Sequence, residues 1–122
     1  MKKVFVAHPF LGKRSNMQTI TAICRNLAKL GIKPFSPVHA YLFLHDNIPA
    51  ERKLAMEWCG DDIETMDAMF LCGAWRESEG CQHEHNVALL ELIPVYEIVG
   101  WRGDKPVFKE EGPSWLKESG GK

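Results

Sequence analysis

Residues 4–10 read Val4-Phe5-Val6-Ala7-His8-Pro9-Phe10, and the first four decide the fold. They are continuously apolar and β-rich instead of alternating with polar residues, the pattern of a strand covered on both faces, as parallel sheets produce. His8-Pro9 stops the strand. Ser15 followed by Gln18 is a capping-box pattern. It opens a helix whose Ile20, Ile23, Cys24, Leu27 and Leu30 share one face, and Gly31 stands where a C-cap glycine belongs. Ile32–Phe35 then forms a second strand, so strand, helix and strand follow within the length of a parallel crossover unit.

The same alternation continues. Pro49 suits the first turn of a second helix carrying Leu54 and Trp58 on one face, and Gly60 ends or breaks it. A further turn at Asp61–Met66 leads into the buried strand Ala68-Met69-Phe70-Leu71-Cys72. After a loop from Gly73 to Ser78, residues Gly80–Leu92 are helical and Pro94–Val99 is a strand. The expected architecture is α/β: a single-domain three-layer sandwich around a central parallel sheet, flavodoxin- or Rossmann-like. Beyond it, Val107-Phe108 reads as an edge strand, Trp101 and Trp115 as anchors of the tail or parts of a dimer contact, and Ser119–Lys122 as a frayed end.

At 122 residues, 45% hydrophobic, the chain suits one core. Fifteen basic against sixteen acidic residues leave a formal charge of -1, so no overall field favours duplex nucleic acid or an anionic membrane. The apolar run before His8 is too short for a signal segment or a membrane span, which makes the cytoplasm the expected location. Cys24, Cys59, Cys72 and Cys81 match neither a zinc-ribbon spacing nor a disulfide scaffold and read as structural thiols.

In an open parallel sheet ligands bind beyond the carboxyl ends of the strands, so the loops His8–Ser15, Ser36–Tyr41 (with His39) and Gly73–Gly80 should converge on one crevice. The third loop enters a helix whose first amides can hold an anion. Glu84 lies about one turn inside that helix and shares its face with Val87 and Ala88. A carboxylate there can be held stiffly and partly desolvated, as a covalent nucleophile requires; the plainer alternative is an acidic residue that favours the helix dipole. In the first loop, Gly12-Lys13-Arg14-Ser15-Asn16 offers two cations and a hydroxyl beside a helix start, or simply a solvated turn.

Ala7-His8-Pro9-Phe10, Asp67 before the third strand, Gly73-Ala74-Trp75, and Ser78-Glu79-Gly80-Cys81-Gln82-His83-Glu84 followed by Ala88 and Ile93-Pro94-Val95 together resemble the nucleoside 2-deoxyribosyltransferase superfamily. The likeness is nearest to small, mostly uncharacterised members often encoded by bacteriophages. It covers roughly residues 1–99, making 1–100 the domain and 101–122 a C-terminal tail. The resemblance implies that Glu84, four after Gly80, is the nucleophile, and that Phe10 helps form the base pocket, with Pro9 beside it among the substrate contacts. Six residues before the nucleophile the transferases carry an aspartate and the deoxynucleoside 5′-monophosphate N-hydrolases a phosphate-holding serine; here stands Ser78. A hydroxyl beside a helix N-terminus accepts a phosphate that a carboxylate would repel. Gly12, Arg14, Gly80 and His39 complete the implied substrate contacts.

One departure stands out. Where the family places an aspartate before the third strand, this chain has Cys59, with Asp61 and Asp62 nearby to supply the carboxylate. The expected activity is cleavage of the N-glycosidic bond of a (deoxy)nucleoside or its 5′-monophosphate, with transfer to water or another base. The alternative is a catalytically inactive nucleotide-binding or regulatory module of the same fold. Cys81 and His85 are spaced to share a metal, but no third ligand is evident, and no phosphate-loop or dinucleotide glycine motif is present; neither metal nor cofactor is expected. The expected partners are a small nucleoside or nucleotide and further copies of the chain, because so short a chain has difficulty enclosing a nucleotide alone.

Overall fold

A computed structural model describes residues 1–116. In chain order the elements are β1 (Lys3–Ala7), α1 (Arg14–Lys29), β2 (Lys33–Phe35), α2 (Pro37–Ala40), α3 (Pro49–Ile63), β3 (Ala68–Leu71), α4 (Glu79–Leu90), β4 (Val95–Arg102) and β5 (Lys105–Phe108). The sheet order is β2-β1-β3-β4-β5, parallel except for the antiparallel edge pair of β4 with β5. The fold is the expected α/β sandwich, and the edge strand expected at Val107-Phe108 is present. Ser119–Lys122 lies outside the described residues.

Alternation along the central strands builds two cores. Val4, Val6, Ala68, Phe70 and Cys72 point to one face and pack against Ile23 and Leu27 of α1, with Leu116 and the half-buried Trp101 and Trp115 closing over them. Both tryptophans therefore anchor the tail on this core. Phe5, Ala7, Met69 and Leu71 point to the other face and meet Cys59 and Ile63 of α3 and Cys81 and Ala88 of α4.

Three local expectations change. The capping box at Ser15 is absent: α1 begins at Arg14, its N-cap is Lys13, and no side chain caps it. The chain turns earlier, through Leu11 and Gly12 at φ 53° and 67°, which places Ser15 inside the first turn, where its carbonyl accepts from the Thr19 hydroxyl at 3.0 Å. Gly60 does not end α3, which runs on to Ile63, so the first half of the separate turn expected at Asp61–Met66 belongs to it. Burial of Cys59 and Ile63, one turn apart across that glycine, outweighs its cost of about 1 kcal/mol. Gly31 does close α1 as expected: at φ 81° it lets the Ile32 amide reach back to the Leu27 carbonyl at 3.1 Å.

Candidate active site

β1 and β3 lie side by side, but the chain leaves β1 for β2 on one side and β3 for β4 on the other. Loops that part at such a switch point leave a crevice between them. The Cys72 amide donates to the Ala7 carbonyl at 2.8 Å, and the His8 ring lies over Gly73. A Cβ at Gly73, whose φ is 62°, would stand 2.7 Å from His8 Nε2, so only glycine allows this approach. His8 Nδ1 pairs with the Pro9 carbonyl at 2.7 Å.

Beyond Gly73 a single 3-10 turn, Trp75–Glu77, delivers Ser78 in extended conformation to the head of α4. Its buried hydroxyl accepts from the Cys81 amide at 3.2 Å, a serine N-cap, and keeps its own proton for donation. Gly80 is the second residue of the helix. The starts of α3 and α4 are tied by Arg52 Nη2 to Glu79 Oε2 at 2.6 Å, a pair at the surface.

Glu84 sits one turn inside α4. As a residue it is half-buried, but its carboxyl is enclosed by protein, near the Cys59 thiol of α3. Desolvation pushes the Glu84 carboxyl up to about 8, against a smaller downward pull from the neighbouring Cys59 thiol. Burial, then the nearby Glu84 charge, push the Cys81 thiol up to about 12; the same two causes hold Cys59 well above the usual thiol range. Two neutral thiols thus neighbour one reluctant carboxylate. Asp62, three residues after Cys59, accepts from the Tyr41 hydroxyl. Tyr41 packs on Trp58 and Phe43, at centroid distances of 5.3 and 6.4 Å, and desolvation with the Asp62 bond keeps it protonated.

The residues expected at the site are distributed unevenly. Glu84, Ser78 and Gly80 share the first turns of α4. Asp62 reaches this region but is engaged by Tyr41, and Asp61 is exposed. In the first loop Pro9 is buried and Phe10 half-buried, its carbonyl held by Asn16 Nδ2 at 2.8 Å; Gly12, Lys13 and Arg14 are exposed. His39 has both ring nitrogens occupied, Nδ1 by Ser36 Oγ at 2.7 Å and Nε2 by Thr21 Oγ1 at 2.8 Å, so it clasps α2 to α1. Among the described residues no three potential ligands gather around one metal position; the His85 ring meets Trp75 edge-on at 5.0 Å.

A separate groove of about 550 Å³ flanks α4 and β4, lined by Trp75, Arg76, His85, Glu97 and Lys109 among others but not by Glu84. Arg76 donates to both Glu97 oxygens at 2.8 and 3.0 Å and holds that carboxyl below its usual range. Sequence reasoning gave no individual role to Tyr41 or His8 and did not place Cys59 near Glu84. The Asp62–Tyr41 and Glu84–Cys59 pairs join residues 21 and 25 positions apart, which no local pattern reveals.

The sequence matches, over residues 2–98, a family described as Domain of unknown function (DUF7768). No curated protein matches it. Among solved structures the chain is similar to a 2-deoxyribosyltransferase from the psychrotolerant bacterium Bacillus psychrosaccharolyticus, described as a biocatalyst for the synthesis of nucleosides. The TM-score is 0.65 at 18% identity, over 96% of this chain and 81% of that one. The likeness is one of fold. No helix among the described residues is long and apolar enough to cross a membrane.

Proposed function

Since the chain belongs to the family described as Domain of unknown function (DUF7768), whose description assigns no activity, we propose from the site itself that the protein cleaves N-glycosidic bonds of (deoxy)nucleosides or their 5′-monophosphates. The observation that carries this reading is the enclosed Glu84 carboxyl at the head of α4, in a fold shared with a 2-deoxyribosyltransferase. Its ionised oxygen attacks C1′ of the sugar. As that bond forms, the bond from C1′ to the base nitrogen breaks, and its electron pair leaves on the base, which takes a proton from water near Asp61 and Asp62. Water or a second base then attacks C1′ and frees the carboxylate.

Ser78 and the Gly80 amide at the head of α4, with Lys13 and Arg14 from the first loop, are the proposed seat of a 5′-phosphate, and Pro9, Phe10 and Gly12 line the base and sugar. A dimer or larger assembly is proposed to complete the pocket, and light scattering that shows only monomer counts against it. The decisive assay follows free base from a panel of ribo- and deoxyribonucleosides and their 5′-monophosphates, with and without an acceptor base. Release is expected; none from any member rejects the proposal.

A second reading has its own support. With Asp62 engaged by Tyr41 and a thiol near Glu84, the carboxylate expected to serve as the proton donor is already held by another side chain. A nucleotide-binding module without turnover would show ligand-induced thermal stabilisation and no base release.

A further inference from the structure

We propose that His8 is the general base of the second half-reaction: its Nε2 takes the proton from the water that attacks C1′ of the sugar held on Glu84. The inference deepens the nucleophile reading and rests on it.

Glu84 shares a face of α4 with Cys81 and Ala88, three residues before it and four after, and both are buried in one core with Ala7 and Leu71. Ala7 and Leu71 are paired in register as the last residues of β1 and β3. The carboxyl therefore stands on the side of α4 that turns toward these strand ends. One step beyond them the chain reaches His8 on one strand and Cys72-Gly73 on the other, joined by the 2.8 Å bond from the Cys72 amide to the Ala7 carbonyl. Two contacts fix the imidazole at this place. A carbonyl only accepts, so Nδ1 carries the proton of its 2.7 Å bond to the Pro9 carbonyl, and the neutral ring keeps its lone pair on Nε2. The ring also lies against Gly73, where a Cβ would stand 2.7 Å from Nε2, so the loop leading to α4 gives up a side chain to make room for it. Among the described residues Nε2 has no hydrogen-bond partner, and it is not sealed from solvent. The other two histidines near the expected crevice are differently placed: His39 has both nitrogens occupied, and the His85 ring packs edge-on against Trp75.

The chemistry asks for such a group. Once C1′ is esterified to Glu84, the water oxygen bonds to C1′ while the bond from C1′ to the glutamate oxygen breaks, and its electron pair returns to the carboxylate. The proton that the water sheds goes to Nε2 and from there to solvent. The Pro9 carbonyl holds the ring in the right tautomer and stabilises the imidazolium that forms, as an orienting acceptor does for other histidine bases. Carboxylates are the alternative bases, but Asp62 is bonded to Tyr41 and Asp61 is exposed.

The test follows base release by full-length wild type, His8→Gln and Glu84→Gln on the deoxynucleoside that wild type turns over fastest, with no acceptor base added. His8→Gln is expected to release about one equivalent of base in a burst and then to turn over about a hundredfold more slowly or worse, with the sugar found on the protein by intact mass. Because only the second half-reaction is slowed, kcat and KM should fall together and kcat/KM should change little. Azide, an anion with no proton to lose, should bring turnover back to within about tenfold of wild type and yield the glycosyl azide. Steady release by His8→Gln at the wild-type rate overturns the proposal. So does slow release with no burst and no rescue by azide, the outcome of a merely disturbed loop. If the variant does not fold, 15N NMR of the wild-type His8 ring decides: the proton is expected on Nδ1, and a neutral ring protonated on Nε2 overturns the proposal. Turnover lost in Glu84→Gln but unchanged in His8→Gln rejects His8 alone, whereas no release by wild type from any substrate rejects the nucleophile reading and this inference with it.

Discussion

The two faces of the sheet are built from the same strands and differ in what the helices bring to them. On the α1 face Val4, Val6, Ala68 and Phe70 meet Ile23 and Leu27, and Phe70 is ringed by Tyr96, Phe108 and Trp115 at centroid distances of 5.2 to 6.5 Å. On the α3/α4 face, equally apolar strand residues meet two thiols, with Glu84 and the Asp62–Tyr41 pair at the helix seam. One face is organised for stability, the other accepts a cost in stability to hold an ionisable group out of water.

The comparison breaks most sharply at Glu84 itself. Glu84→Gln keeps the shape and removes the charge, so base release should fall roughly a thousandfold or more, about 4 kcal/mol of transition-state stabilisation, while ligand still binds. Wild-type rates from this variant would end the distinction between the faces. On the opposite side, Phe70→Ala should cost about 3 kcal/mol of unfolding free energy in denaturant titrations, through lost burial and a residual cavity. It should leave the Glu84 midpoint where it was, since the sheet separates the two cores.

The raised Glu84 carboxyl gives a pH signature of both kinds. In the free enzyme, kcat/KM should climb about tenfold per pH unit below about 8 and level off above it, because only the ionised carboxyl attacks. Stability runs the other way. Unfolded, the group ionises near its ordinary 4.5, and folded near about 8; between them the native state holds the extra proton, so unfolding free energy falls as pH rises and is flat beyond. Between the two values stability should fall by about 1.4 kcal/mol per pH unit, and Glu84→Gln should abolish that slope. A wild-type profile as flat as that of the variant would show Glu84 to be well solvated.

The same contrast explains what the sequence made legible. α1 packs a single apolar face on one core, so its spacing and Gly31 located it, and the unbroken apolar runs Val4–Ala7 and Ala68–Cys72 marked the doubly covered strands. α3 and α4 face each other as well as the sheet, so polar and apolar residues alternate less cleanly on them, and a glycine inside α3 read as its end. Glu84 was visible because it follows a loop and a cap within one helix. Its neighbour Cys59 registered only as a departure from the family pattern, because the approach between them is tertiary. His39 looked like a crevice residue by position, while its ring is taken up by Ser36 and Thr21.

The smallest expected effect separates structure from recognition at Ser78. Its hydroxyl caps α4 by accepting from the Cys81 amide, so Ser78→Ala should lower stability by about 1 kcal/mol in thermal or denaturant unfolding. Aspartate is as good an N-cap as serine, so Ser78→Asp should keep that stability. It differs in charge: a carboxylate at the head of α4 competes for the amides that would hold a phosphate and repels the phosphate itself. If Ser78 belongs to a phosphate seat, Ser78→Asp should lose any preference for 5′-monophosphates over nucleosides while remaining as stable as wild type. Ser78→Ala should lose stability and retain part of that preference through the Gly80 amide. Equal handling of nucleosides and monophosphates by wild type and both variants would reduce Ser78 to a cap and turn the site toward unphosphorylated nucleosides.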